Sequence, residues 1–122
     1  MPQSGWRTRR ALHGPGRPVH VHRKGDDEVE VSLHGEIHAQ NALLVGYALA
    51  CLVDEAPVRV RIDLARAGEL NSTSIGRVFF PLLAAARLNG AANTVQGTSP
   101  RTRAKLRELG LDRCMACVDT FA

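Results

Sequence analysis

The sequence has few aromatic residues and few cysteines. Only 4% of its 122 residues are Phe, Trp or Tyr, which argues against nucleic-acid recognition by base stacking, because stacking needs aromatic platforms. Three cysteines, an odd number, do not indicate a disulfide framework. The chain contains no run of eighteen apolar residues, and no apolar segment follows its basic N-terminus. The sequence therefore predicts neither a membrane span nor a secretory signal, and we expect a cytoplasmic protein.

The basic residues are concentrated at the N-terminus. Six of the 16 Lys and Arg residues lie within residues 1–24, which contain no acid, although the net charge of the whole chain is only +4. The remaining 98 residues therefore carry more acids than bases. We interpret residues 1–18 as a solvated basic arm, with binding to an acidic surface or to nucleic acid as the less favoured alternative. Residues 19–122 then form one nearly neutral domain.

Alternating apolar and polar residues predict the strands. Val19–Arg23 and Val29–Leu33 flank the turn residues Gly25, Asp26 and Asp27, so they form a hairpin. Further strands are predicted at residues 58–62, 92–97 and 114–118.

Helices are predicted between the later strands. Apolar residues recur at helical spacing over residues 39–53 and 74–88, and the second of these segments contains Pro81 and is followed by Gly90 as a C-cap. Ser99 and Pro100 are typical of an N-cap and a first helical residue. The order β-β-α-β-α-β-α-β predicts an α/β fold: a mostly parallel sheet of about five strands with an N-terminal hairpin and helices packed on it.

Three segments between residues 29 and 120 resemble the STAS domain, the fold of bacterial anti-sigma factor antagonists and their stressosome relatives. LHGEI at residues 33–37 is similar to the family's opening L-x-G-E-L/I. IDL at 62–64 followed by LNSTSIGR at 70–77 resembles the family's D-L and D-S-x-G/I-x-G box. SP at 99–100, followed by GLDR at 110–113, is similar to its S-P…G-L-D-R ending. No single segment is specific for this family, but the order and spacing of the three together are.

The resemblance implies a phosphorylation site at the start of the second helix, where the family has a Ser or Thr after an Asp. Counting forward from Asp63 puts Asn71 at the Asp position and Ser72 at the phosphosite. Counting back from Ser99 puts Ser72 at the Asp position and Thr73 at the phosphosite, and the similarity of residues 75–77 to stressosome members favours this second alignment. The family Asp is absent in both alignments, which indicates a divergent member. Considered without the resemblance, the Ser and Thr residues here are typical of a helix cap.

The resemblance also implies the partners. It indicates an anti-sigma factor antagonist, not an enzyme, that binds an anti-sigma factor with serine kinase activity of the GHKL type. A phosphatase would reverse the modification, and the antagonist would be a monomer or homodimer without cofactor or metal. The expected contact residues are Glu36, Ile37, His38, Gly68, Glu69, Asn71, Ser74, Gly76 and Arg77.

Two other functions fit parts of the sequence. The protein could be a scaffold subunit of a stressosome-like complex, or a redox-responsive protein using Cys114 and Cys117, which form a CxxC motif. His20 and His22 could complete a Cys2His2 zinc set with these cysteines, but nothing in the sequence places the two pairs together. We therefore predict no metal site.

Overall fold

The computed structural model describes residues 18–55 and 59–118. Most of the predicted basic arm, Val58 of the predicted third strand and the last four residues lie outside these ranges. Within them, no helix is long and apolar enough to cross a membrane.

Within the described residues, five strands, three α-helices and one 3-10 helix follow one another, and the fold class predicted from the sequence is confirmed. The strands are β1 (Val19–Arg23), β2 (Glu28–Gly35), β3 (Arg59–Ala67), β4 (Ala92–Gln96) and β5 (Ala116–Val118). The helices are α1 (Ala39–Asp54), α2 (Ser72–Asn89) and α3 (Pro100–Glu108), and the 3-10 helix spans Leu111–Arg113.

The strands form one sheet in the order β1-β2-β3-β4-β5, which is also their order along the chain. β1 and β2 are antiparallel, with Val19 opposite Leu33, and every later neighbouring pair is parallel. Parallel crossovers are almost always right-handed. Because each crossover here advances in the same direction along the sheet, all three helices lie against the same face.

The burial pattern agrees with this two-layer arrangement. The core-facing residues of β2 and β3 are buried, whereas the residues between them are only half-buried. The open face of the sheet is therefore polar, and the core lies between the other face and the helices. Its largest fully buried side chains are Phe79, Leu33, Leu49, Ile62, Leu70, Ile75, Leu82, Leu106 and Leu111.

Helices α1 and α2 lie side by side in close contact. Gly46 of α1 faces the backbone of α2, where a Cβ atom at position 46 would overlap the carbonyl oxygen of Arg77 and lie 3.0 Å from that of Val78. α2 continues through Pro81 and ends at Asn89, and its C-cap Gly90 has a left-handed φ of 68°, as the predicted C-cap requires.

Several element boundaries differ from the sequence prediction. β3 continues to Ala67, because Gly35 of β2 pairs with it beyond a register shift. α2 begins at Ser72 instead of Ser74, because Asn71 is the N-cap. The prediction that Cys114 belongs to the last strand is wrong: it follows the 3-10 helix, and β5 begins at Ala116.

Candidate functional site

The candidate site lies where the parallel strands β2 and β3 end. The loop after β2 and the loop after β3 meet there, and the N–H of Gly68 donates to the carbonyl oxygen of Gly35 at 2.8 Å. Glu36 stands over Gly68, since a Cβ atom on that glycine would lie 3.1 Å from a carboxylate oxygen of Glu36. The two loops therefore form one continuous surface, which we call the recognition edge: residues 35–38 and 68–73, with Arg77.

Helix α2 begins within the recognition edge. Asn71 is its N-cap, and the side-chain oxygen of Asn71 accepts a hydrogen bond of 2.8 Å from the N–H of Ser74. Ser72 and Thr73 occupy the first turn and are exposed, whereas Ser74 is fully buried. The two hydroxyl groups thus face solvent at the positive end of an 18-residue helix.

Neighbouring helices hold this region on both sides. The guanidinium of Arg77 donates to the carbonyl oxygen of Ala39 at the start of α1, at 2.6 Å. On the other side, the Lys105 ammonium of α3 donates to the carbonyl oxygen of Leu70 at 2.8 Å. Leu70 itself is buried, so the residue before the cap is anchored by both its side chain and its carbonyl group.

A cavity of about 350 Å³ lies between the loop after β3 and the first turn of α3. Ser99, the N-cap of α3, accepts a hydrogen bond from the N–H of Thr102 at 3.1 Å, as its sequence position predicts. The cavity is lined by Leu64, Ala65, Ala67, Gly68, Glu69, Leu70, Gly97, Thr98, Ser99 and Thr102. The loop is therefore not tightly packed against α3 at this point.

The structure brings all the predicted site residues to the recognition edge or directly beneath it. The exposed ones are Glu36, His38, Glu69, Asn71, Ser72, Thr73 and Arg77, and Gly68 is half-buried. Ile37, within the recognition edge, is buried, as are Ser74 and Gly76 beneath it, so these three residues shape the surface without being exposed on it. Lys105 contacts the site but was not among the predicted residues, because its partner Leu70 lies 35 positions away in the sequence.

Two histidines stack beside the recognition edge. The rings of His20 and His34 lie 3.8 Å apart, and Ser32 Oγ and His34 Nε2 are within hydrogen-bonding distance at 2.9 Å. Burial lowers the pKa of His34, and the positive charges of His20 and Arg66 lower it further, against an opposing effect of Asp63. The neutral imidazole is therefore favoured at this position.

The cysteines do not form a site with the histidines. Cys51, Cys114 and Cys117 are free thiols, and burial raises the pKa of Cys117, which opposes thiolate formation. His20 lies on β1, at the opposite edge of the sheet from Cys117 on β5, roughly 19 Å away at the usual strand spacing. Within residues 18–55 and 59–118, no group of three or more His, Cys, Asp or Glu residues could hold a metal ion.

A second, larger cavity of about 520 Å³ lies at the other end of the sheet, where β4 begins. It is a largely apolar groove between α2, β4 and the 3-10 helix. Its lining consists of Phe80, Leu83, Ala84, Ala86, Arg87, Ala91, Asn93, Leu111 and Cys114.

Comparison with known proteins relates this geometry to a fold. The sequence matches no family model, and it finds no match among curated proteins. An anti-sigma factor antagonist from Mycobacterium paratuberculosis is similar in structure, with 24% identity and a TM-score of 0.68 over 90% of this chain and 92% of that one. The anti-sigma factor antagonist SpoIIAA in its unphosphorylated form is 15% identical, with a TM-score of 0.67 over 82% and 87% of the two chains.

A serine-to-glutamate variant of RsbS from Moorella thermoacetica is 21% identical, with a TM-score of 0.66 over 84% of this chain and 87% of that one. The chain has the fold of the STAS domain, as its sequence motifs predict.

Proposed function

We propose that this protein is an anti-sigma factor antagonist that binds an anti-sigma factor through the recognition edge and so regulates sigma-factor-dependent transcription. The observation that carries the proposal is the pair of exposed hydroxyl groups, Ser72 and Thr73, in the first turn of α2. Two of the similar structures are described as anti-sigma factor antagonists, and SpoIIAA has been solved in phosphorylated and unphosphorylated forms. We place the protein in the cytoplasm, as a binding module and not an enzyme.

The switch we propose is phosphorylation of one of these hydroxyl groups. A GHKL-type kinase transfers the γ-phosphoryl group of ATP to the hydroxyl oxygen, releasing ADP and a proton, and a phosphatase hydrolyses the ester. The phosphate adds a charge of about −1.5 to −2 to a surface that the partner must contact. The N–H groups at a helix start favour such an anion locally, so the modification weakens partner binding without disrupting the helix.

The neutral cap strengthens this electrostatic contrast. The first turn of α2, with the sequence STSI, contains no acidic residue, and its cap Asn71 carries no charge. A phosphate on Ser72 or Thr73 is then the first negative charge in the cap and first turn, whereas a family member with Asp at position 71 or 72 already carries one there. The absence of the family Asp is therefore compatible with a charge-operated switch.

Thr73 is the phosphosite we favour over Ser72. Thr73 and Arg77 are four residues apart on α2, so their side chains lie on the same face of the helix. Both are exposed, and a phosphate on Thr73 would lie one turn from a guanidinium group. Ser72 remains the alternative, because it is exposed in the same turn.

Mass spectrometry after incubation with ATP and candidate anti-sigma kinases tests the site, and calorimetric titration tests binding. We expect Thr73→Val to remove the phosphate and Thr73→Glu to weaken binding of the anti-sigma factor at least tenfold. Leu88→Glu is the matched control, because Leu88 is 88% exposed near the far end of the same helix and should leave binding unchanged. If no anti-sigma factor from the host is retained by the unmodified protein, the proposed function is wrong.

A second candidate function, a scaffold subunit of a stressosome-like complex, is favoured by the apolar surface. Leu43, Leu44 and Tyr47 on α1 are 39%, 48% and 53% exposed. Neighbouring subunits in a large assembly would cover such a surface. Light scattering separates the two functions, since a scaffold forms large particles whereas the antagonist is a monomer or homodimer.

A further inference from the structure

Lys105 places a positive charge beside the start of α2. Its side chain extends from α3 to the recognition edge, where the ammonium group donates to the carbonyl oxygen of Leu70 at 2.8 Å. Leu70 directly precedes the cap Asn71 and is only 1% exposed, so its carbonyl group is a fixed anchor point. The ammonium group is thereby held at the carbonyl group of Leu70, which is two residues before Ser72 and three residues before Thr73.

This arrangement is electrostatically unusual for an unmodified helix. A helix start already carries a partial positive charge and is normally stabilised by acidic side chains. Here the first turn has no acidic residue, and the ammonium group of Lys105 lies next to it. The acid nearest in sequence, Glu69, is exposed in the loop before the cap. The Glu36 carboxylate lies over Gly68 in the same loop, but neither acid belongs to the first turn of α2. The first turn itself therefore combines two positive features that an added anion would compensate.

We propose that Lys105 reads the phosphorylation state: its ammonium group leaves the Leu70 carbonyl oxygen and binds the phosphate on Thr73 or Ser72. This inference rests on the proposed function, because it assumes that one of these hydroxyl groups is modified. Both bonds have an ionised donor, but the phosphate adds a Coulombic attraction between opposite charges that the uncharged carbonyl group lacks, which favours the exchange. Two or three residues span at most about 7–11 Å, a distance that the flexible lysine stem and the phosphate together can bridge.

The exchange has a structural consequence for the recognition edge. When the ammonium group leaves, the carbonyl group of Leu70 loses its bond to α3. The loop, which borders the cavity of about 350 Å³, then lacks the Lys105 hydrogen bond to α3. Phosphorylation would thus alter the shape of the recognition edge as well as its charge.

The test needs neither the kinase nor the anti-sigma factor. Phosphoserine is incorporated during translation at position 72 in one protein and at position 73 in another, and the second ionisation of the phosphate is followed by phosphorus NMR. We expect Lys105→Met to raise the pKa of the phosphate by about half a unit or more in at least one of the two proteins, because a nearby cation favours the dianion. Lys105→Arg should keep the lower pKa.

Two control variants isolate Lys105 from the other cations. Arg101→Met removes an exposed charge from the first turn of α3 and should leave the phosphate pKa unchanged. Arg77→Met removes the guanidinium group on α2 itself, so any shift it causes should add to that of Lys105→Met. If Lys105→Met destabilises the fold, Lys105→Gln provides a second neutral variant.

Amide hydrogen exchange supplies an independent readout in the same proteins. Phosphorylation should speed amide exchange in residues 68–70 when Lys105 is present. In Lys105→Met the increase in exchange rate should be much smaller, because the loop lacks the hydrogen bond to α3 before phosphorylation as well as after it. A phosphate pKa that is the same with and without Lys105 in both proteins overturns the inference. That result would leave the proposed function intact, because partner binding is measured separately on the unmodified chain.

Discussion

Replacing Gly46 by Ala tests the packing of α1 on α2. A methyl group at position 46 would overlap the carbonyl oxygen of Arg77, which is a backbone atom of α2. The two helices must therefore move apart, which loosens the packing of buried residues such as Val45 and Leu49. The contact in question is between backbones, so no change of rotamer relieves it.

The size of the effect follows from two opposing contributions. Overpacking in a core costs about 1–3 kcal/mol, and occasionally more. Replacing Gly by Ala inside a helix contributes about 1 kcal/mol in the stabilising direction. Because the overlap at position 46 is with backbone atoms, which no change of rotamer moves aside, we take its cost as the top of that range. We expect a net loss of about 2 kcal/mol in the free energy of unfolding, and a fall in Tm of roughly 8 °C for a domain of this size.

Urea and thermal unfolding measure this loss, with Gly76→Ala as the matched control. Gly76 is also a buried helical glycine, but the nearest atom to an added methyl group is Cε2 of the Phe80 ring, at 3.1 Å. Phe80 is 52% exposed, so its ring can turn aside. The gain in helix propensity should then dominate, and Gly76→Ala should be neutral or stabilising by up to about 1 kcal/mol. A Gly46→Ala protein as stable as the Gly76→Ala protein would refute the reasoning.

Three further predictions concern the cap, the histidines and the cysteines. Asn71→Ala should lower the free energy of unfolding by about 1 kcal/mol in urea titrations. Asn71→Asp keeps the side-chain acceptor and should leave the free energy of unfolding unchanged; equal losses in the two variants would contradict a capping role. Burial and the nearby His20 lower the pKa of His34 in the folded state, so the unfolded chain binds the proton more readily. The free energy of unfolding should therefore fall as the pH drops from 6.5, the pKa in the unfolded chain, towards the folded pKa. His34→Gln should flatten this pH dependence in urea titrations; an unchanged slope would contradict the assignment to His34. Iodoacetamide should alkylate exposed Cys114 before Cys117, whose pKa is raised by burial, as followed by peptide mass spectrometry; the reverse order would disprove this ranking.

Local signals in the sequence predicted most of the elements. The turn residues Gly25 to Asp27 indicated the hairpin, Gly90 indicated the end of α2, and Ser99 with Pro100 indicated the start of α3. Each of these residues acts through its own backbone preference or through a hydrogen bond to a residue close by. Such local effects can be predicted from the sequence without knowledge of the tertiary structure.

Features that depend on distant partners were not predictable in the same way. β3 extends to Ala67 because Gly35, 32 positions earlier, is its partner in the sheet. The Lys105 contact joins residues 35 positions apart, and its sequence signal, a lysine in a basic helix, equally fits a solvated surface. The motifs placed the phosphosite candidates at the start of α2, but only the packing distinguishes exposed Thr73 from buried Ser74.

The strands have the same order in the sheet as in the sequence, and this affects how the chain can fold during its synthesis. Each strand pairs with the strand that precedes it in the sequence, starting with a hairpin. As a ribosome extends the chain from its N-terminus, each strand after β1 can pair at once with the strand synthesised before it. We therefore expect folding to proceed during synthesis, with β5 completing the sheet last.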